Sequence, residues 1–171
     1  TIELDIRFYD RNNIPSTIRL DGDKKHFQHL YVNNIFWEDY TLEEDHLSIN
    51  LHQRNDDNQL RVTITTEVRP QENKYFEGIF VSNGVILTHC EPRGFHRFTY
   101  FLDRPDILST YRVTLRAKQC DFPTLLSNGE LVSSAKLSSG LHQATWYDLI
   151  PKPCYLFAMV AGDLVNNSRL V

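Results

Sequence analysis

Two apolar runs, Ile79-Phe80-Val81 and Val85-Ile86-Leu87, flank the dipeptide Asn83-Gly84. Asn-Gly between apolar runs is the strongest short-range signal for a two-residue β-hairpin loop, because both residues tolerate the positive φ that such a loop requires. The sequence therefore predicts an antiparallel hairpin with its turn at Asn83-Gly84.

The same signal occurs on both sides of this hairpin. Asn128-Gly129 separates Leu125-Leu126 from Leu131-Val132, and Asn33-Asn34 directly follows Leu30-Tyr31-Val32. Asn is the residue other than Gly that most readily adopts positive φ. These dipeptides predict two further hairpins.

Elsewhere, apolar and polar residues alternate with the period of two that is typical of a half-buried strand. The clearest examples are Ile2–Phe8, Thr17–Leu20, Leu47–Leu51, Leu60–Val68 and Tyr111–Lys118. Polar turns are expected at 10–13 and 54–58, and about ten or more short strands result. The pattern predicts an all-β fold, a single antiparallel sandwich or saddle-like domain.

One short helical turn at most is expected. Asp103 is suited to cap it, and Pro105 would lie in its first turn. No linker or repeat divides the 171 residues, so we expect one domain, 1–171.

Charge and composition exclude several classes of partner. The chain has 18 Lys and Arg against 22 Asp and Glu and no basic cluster, which argues against nucleic acid and anionic membranes. The longest apolar run, Cys154–Ala161, is too short to span a bilayer.

The three cysteines, Cys90, Cys120 and Cys154, are far from one another in sequence and form no C-x-x-C pair. Dispersed cysteines favour buried free thiols and a cytoplasmic location.

Glu91 is the main candidate for a site residue. It follows a predicted strand and precedes Pro92, which cannot donate a ladder hydrogen bond, so pairing stops there and the carboxylate can point outward. A solvated glutamate at the sheet rim, or one paired with Arg93 or Arg97, is the alternative interpretation.

Five segments have a distinctive composition in a fixed order. They are Phe76–Phe80 (Phe-Glu-Gly-Ile-Phe), His89–Phe95 (His-Cys-Glu-Pro-Arg-Gly-Phe), Thr99–Asp106 (Thr-Tyr-Phe-Leu-Asp-Arg-Pro-Asp), Pro123–Gly129 (Pro-Thr-Leu-Leu-Ser-Asn-Gly) and Pro151–Ala158 (Pro-Lys-Pro-Cys-Tyr-Leu-Phe-Ala). In this order they resemble the N-terminal domain of bacterial aminopeptidase N, a family of zinc metallo-aminopeptidases of the gluzincin type.

The resemblance implies that residues 1–171 are the N-terminal β domain of a longer, multidomain aminopeptidase, with its N-terminal edge truncated. Zinc would be bound by an H-E-x-x-H motif in a later catalytic domain, which this chain lacks. The expected partners are peptide N-termini and that catalytic domain. No catalytic residue and no metal ligand is expected in this chain, so it would be inactive alone.

The resemblance also implies roles for Glu91 and His89. Glu91 matches a carboxylate that binds the free α-ammonium of a peptide together with a glutamate of the next domain. His89 stands where the family usually has Gln, next to the first substrate residue. A protonated imidazole there would oppose the ammonium and weaken binding in acid. A partly buried His89 bonded to a backbone carbonyl is the alternative.

The sequence leaves two other interpretations. A non-catalytic β-sandwich module that binds protein or carbohydrate could use the aromatic residues Tyr31, Phe36, Trp37 and Tyr40, although period-two spacing favours core positions. A metal site at His26-x-x-His29 is disfavoured, because residues three apart on a strand face opposite sides.

Overall fold

The computed structural model describes residues 1–10, 14–51 and 59–165. Apart from Asp10, the turns predicted at 10–13 and 54–58 lie outside these ranges. The described residues form fourteen strands: β1 (Ile2–Arg7), β2 (Thr17–Asp21), β3 (Phe27–Val32), β4 (Ile35–Phe36), β5 (Tyr40–Leu42), β6 (His46–Asn50), β7 (Gln59–Thr66), β8 (Gly78–Ser82), β9 (Val85–His89), β10 (Ser109–Lys118), β11 (Thr124–Ser127), β12 (Glu130–Lys136), β13 (Leu141–Lys152) and β14 (Met159–Gly162). The prediction of an all-β fold with antiparallel sheets is confirmed.

The helical content of the described ranges is limited to single 3-10 turns of three residues each. They are Lys24–His26, Pro70–Glu72, Phe95–Arg97, Ser138–Gly140 and Cys154–Leu156. The helical turn expected at Asp103 is wrong: a simple turn follows, in which the Ile107 N–H donates to the Arg104 carbonyl at 3.3 Å. Asp103 does not cap it, because its carboxylate accepts hydrogen bonds from His96.

The chain divides into two compact units, each built from two antiparallel sheets. Unit 1 comprises Thr1–Val68 and Arg93–Asp103, and unit 2 comprises Arg69–Pro92 and Arg104–Val171. The assignment of 1–171 as one N-terminal domain of a longer protein stays a prediction.

In unit 1 the strand orders are β1-β7-β3-β4 and β2-β6-β5. Alternate residues of β2, β6 and β7 are buried, as the period-two pattern predicts, and they meet in a shared core with buried residues of β3. Its buried members are Ile18, Leu20, Leu30, Val32, Leu47, Ile49, Leu51, Leu60, Val62, Ile64 and Tyr100.

The β3–β4 hairpin of unit 1 is confirmed, with φ of 50° at Asn33 and 65° at Asn34. Trp37 packs against the core with Tyr40, while Phe36 is exposed. The aromatic residues of this region therefore do not share one exposed face, which removes the basis for a sugar-stacking surface.

In unit 2 the strand orders are β10-β13-β12 and β11-β14-β9-β8. The β8–β9 hairpin is confirmed: its ladder runs from Ser82↔Val85 to Gly78↔His89, and φ is 49° at Asn83 and 79° at Gly84. At the end of the ladder away from the turn, Gly78, the first residue of β8, lies opposite His89, the last residue of β9.

The hairpin predicted at Asn128-Gly129 is wrong. The turn is present, with φ of 84° at Gly129, but β11 pairs with β14 and β12 pairs with β13 in the other sheet. The Asn128 amide reaches across to the segment before β14. It donates to the Leu156 carbonyl at 3.1 Å and accepts from the Ala158 N–H at 2.5 Å, which ties the turn to that segment.

The three cysteines are free thiols. Cys90 and Cys154 are buried as expected, but Cys120 is exposed, in the turn that follows β10. The expectation of buried thiols is therefore wrong for Cys120, whose Sγ lies 3.3 Å from the Asp121 carboxylate.

Candidate functional site

Glu91 lies directly beyond the end of β9, in the turn that covers residues 91–94. Its side chain is exposed, and among the described residues of its unit no hydrogen bond or ion pair engages its carboxylate. The peptide bond to Pro92 is cis. β9 ends at His89, so the strand stops before Glu91 and Pro92, as the sequence predicts. The result is an unengaged carboxylate at a sheet rim.

Arg93 and Arg97, the alternative partners of Glu91, each lie close to another carboxylate. The Arg93 Nη2 donates to the Asp21 Oδ1 at 3.0 Å, and the Arg97 Nη1 lies 3.8 Å from the Asp23 Oδ1. All four of these residues belong to unit 1. Both guanidinium groups therefore have acidic partners without Glu91.

His89 is the last residue of β9 and is exposed. Its ladder partner is Gly78, the first residue of β8. The alternative of a partly buried imidazole bonded to a carbonyl is wrong, because within the described part of unit 2 no such bond forms. His89 and Glu91 are thus two residues apart at one end of the β8–β9 pair, and both are open to solvent.

The segment before β8 was not expected to contribute to a site. The Asn73 side chain donates to the Glu77 and Ile79 carbonyls at 2.7 and 2.9 Å and accepts from the Tyr75 N–H at 3.0 Å. These bonds fix a short loop with Tyr75 and Phe76 on its outer side. In the sequence, two adjacent aromatics lie in a polar stretch and Phe76 begins one of the five segments that carry the resemblance, but no recognisable turn dipeptide bounds the loop.

The His26-x-x-His29 pair does not form a metal site. The His26 Nδ1 donates to the Glu67 carbonyl at 3.0 Å, and His29 lies on β3 with its side chain exposed. In residues 1–10, 14–51 and 59–165, no three His, Cys, Asp or Glu side chains form a group that could hold a metal ion. Over the same ranges, no helix has the length and apolarity needed to cross a membrane.

Several known proteins are similar to this chain in sequence and structure. It is 38% identical to aminopeptidase N of Haemophilus influenzae over 157 residues, which are 92% of this chain and 18% of that protein. The crystal structure of Legionella pneumophila aminopeptidase A in complex with aspartic acid matches with a TM-score of 0.86 and 36% identity, over 95% of this chain and 19% of that one.

A more distant likeness concerns the fold alone. A mutant M1 zinc metallopeptidase of Deinococcus radiodurans, bound to a Tyr-Ser-Ala substrate, matches with a TM-score of 0.69 at 18% identity, over 86% of this chain and 34% of that one. The chain spans less than a fifth of the length of its Haemophilus and Legionella relatives. Residues 10–156 match the family of the Peptidase M1 N-terminal domain. The chain belongs to this family.

Proposed function

We propose that this chain forms one wall of the substrate cleft of an aminopeptidase, and that the Glu91 carboxylate binds the free α-ammonium of a peptide. The observation that supports this role is the exposed Glu91 carboxylate two residues past the end of β9, which makes no hydrogen bond or ion pair with the described residues of unit 2. The α-ammonium distinguishes the first residue of a peptide from later ones. A carboxylate in a partly desolvated cleft binds it by a charge-assisted hydrogen bond and so sets which peptide bond is cleaved.

The remainder of the longer protein would hold the zinc. The described residues of this chain offer no set of metal ligands, whereas the Deinococcus relative is a zinc metallopeptidase. When bound, zinc activates water and polarises the scissile carbonyl. The residues of this chain bind and orient the peptide and exclude water. The catalytic domain as partner and a cytoplasmic location belong to the same proposal.

His89 is proposed to lie beside the first substrate residue. It is exposed and two residues from Glu91. Replacing it by Gln, the usual residue in the family the sequence resembles, should change the preference among aminoacyl anilides that differ in the first residue. An unchanged preference would remove His89 from the site.

The role of Glu91 is tested in the full-length protein that contains this chain. The substrate is an aminoacyl anilide with a free α-amino group. Glu91→Gln keeps the shape and removes the charge, and we expect kcat/KM to fall by about 10²–10³-fold. Glu130→Gln is the matched control, since Glu130 is also an exposed glutamate of unit 2. Its kcat/KM and zinc content should equal those of the unmodified protein.

Equal activity of the Glu91 and Glu130 variants, with zinc retained, would mean that the α-ammonium is bound elsewhere. If the unmodified protein cleaves no aminoacyl anilide, the aminopeptidase proposal is contradicted. The alternative, a non-catalytic module that binds protein or carbohydrate, is then favoured.

A further inference from the structure

The loop between the 3-10 turn Pro70–Glu72 and β8 exposes two aromatic side chains. Tyr75 is 86% exposed and Phe76 is 59% exposed. Exposed aromatics that lie side by side are typical of contact surfaces, because their rings offer a large, rigid, apolar area.

This loop is fixed by its own hydrogen bonds. One side chain, Asn73, bonds three backbone groups, those of Tyr75, Glu77 and Ile79. The Phe76 ring also packs edge-on against Phe80, with ring centroids 5.3 Å apart. The backbone of the loop and the Phe76 ring are therefore held in place.

The backbone at Phe76 is in the left-handed region, with φ of 57°. Gly or Asn adopts this conformation at little cost, whereas a side chain such as Phe is disfavoured there. Burial does not compensate for that cost, because more than half of the Phe76 side chain is in solvent. A disfavoured conformation that displays an apolar ring indicates a role outside the fold of the unit.

The position of this ring relative to Glu91 follows from the hairpin register. Gly78↔His89 is the last pair of the β8–β9 ladder. Phe76 precedes Gly78 by two residues and Glu91 follows His89 by two residues, so both lie at the same end of the pair. Neighbouring strands are about 4.8 Å apart, which keeps the two segments close where the ladder ends.

We propose that Phe76, with Tyr75 beside it, contacts the side chain of the first substrate residue and favours large apolar side chains there. The inference rests on the proposed function, because Glu91 must first bind the α-ammonium of that residue. The side chain of a residue held by its ammonium extends only a few bonds away, toward groups at the same rim. Contact with an apolar ring removes apolar surface from water and so favours Leu or Phe over Ala.

The test compares kcat/KM for leucyl and alanyl anilides in the full-length protein. Phe76→Ala should lower the leucyl/alanyl ratio about five- to twentyfold and leave the alanyl value within about twofold. Phe76→Leu, which keeps an apolar side chain, should restore most of the ratio. Phe76→Gly should lower the ratio like Phe76→Ala while relieving the positive φ, so its Tm should not fall below that of Phe76→Ala.

Phe36→Ala is a closely matched control. Phe36 is 55% exposed, and its ring packs edge-on against Tyr31 at a centroid distance of 5.6 Å, but it belongs to unit 1. We expect the same small loss of ring contact and no change in the leucyl/alanyl ratio.

Four outcomes are informative. A ratio that falls only in the Phe76 variants supports the inference. An unchanged ratio, while Glu91→Gln still lowers kcat/KM, overturns it and leaves the proposed function standing. An equal loss on both substrates with a lower Tm also overturns it, since the rings would then dock against the rest of the protein. A Glu91→Gln variant with full activity instead contradicts the proposed function.

Discussion

The carboxylate of Asp103 accepts two hydrogen bonds from one residue, His96. The His96 ring Nδ1 lies 2.6 Å and its backbone N 3.1 Å from the Asp103 Oδ2. The Asp103 side chain is 2% exposed and that of His96 is 14% exposed. This pairing joins the two ends of the segment from His96 to Asp103. Asp103, the first residue of the Asp-Arg-Pro-Asp sequence at 103–106, therefore has a structural role.

Asp103→Ala should destabilise unit 1, because it leaves two buried N–H groups of His96 without their acceptor. Each such loss costs about 1–3 kcal/mol, so we expect the two together to lower the free energy of unfolding by about 2–6 kcal/mol. Asp103→Asn retains one acceptor oxygen and should lose less. Urea denaturation of the 171-residue chain measures both.

Asp106→Ala is the control for Asp103. Asp106 is an exposed carboxylate paired with Arg104, and its removal should change the free energy of unfolding by less than about 0.5 kcal/mol. Similar losses for the Asp103 and Asp106 variants would contradict the structural role of the His96 pairing.

Gly22→Ala should also destabilise unit 1. A Cβ on Gly22 would lie 2.3 Å from the Tyr100 Cδ1, and the Tyr100 ring is fully buried in the core. Overpacking of this kind costs about 1–3 kcal/mol, which the free energy of unfolding should report. Gly84→Asn is the comparison, since no atom lies within 4 Å of the Cβ position and Asn tolerates positive φ. A stable Gly22 variant would mean that the Tyr100 ring can move.

His26 should titrate below the ordinary imidazole value of 6.5. Burial lowers the pKa of His26 most, the hydrogen bond to the Glu67 carbonyl raises it, and the nearby Lys25 lowers it further. A pKa that is lower in the folded state favours the neutral ring. The stability this contributes is complete above the unfolded pKa and is lost as pH falls through the folded pKa.

Two measurements check the His26 prediction. NMR of the ring should give a titration midpoint below 6.5. The free energy of unfolding should fall less between pH 7 and pH 5 in His26→Gln than in the unmodified chain. A midpoint at or above 6.5 would show that the carbonyl hydrogen bond outweighs burial.

The sequence predicted the local structure better than the pairing of strands. Asn83-Gly84 specifies both a turn and a hairpin, because the strands on either side remain each other's partners. Asn128-Gly129 specifies only the turn: the Asn128 side chain bonds residues around 156–158, which are distant in sequence. A dipeptide fixes backbone conformation over two residues, whereas the partner of a strand is chosen by tertiary packing.

The sequence also predicted only part of the candidate site. Pro92 cannot donate a ladder hydrogen bond, which is a local property, so the sequence could predict a strand that stops before Glu91 and leaves it exposed. The observed ladder already stops at His89. The Phe76 loop could not be predicted, because a Phe with positive φ contradicts the usual residue preference. Its conformation depends on three backbone groups that converge on Asn73, and their convergence exists only in the folded chain.

The most direct test of the account measures the coupling between Glu91 and the substrate α-ammonium. Inhibition constants are compared for leucine amide and for 4-methylpentanamide, which lacks the amino group, in the full-length protein and in its Glu91→Gln variant. We predict that the unmodified protein binds leucine amide better by at least about thirtyfold, and that Glu91→Gln removes most of this preference. An undiminished preference in the variant would contradict the assignment of Glu91 as the residue that binds the α-ammonium.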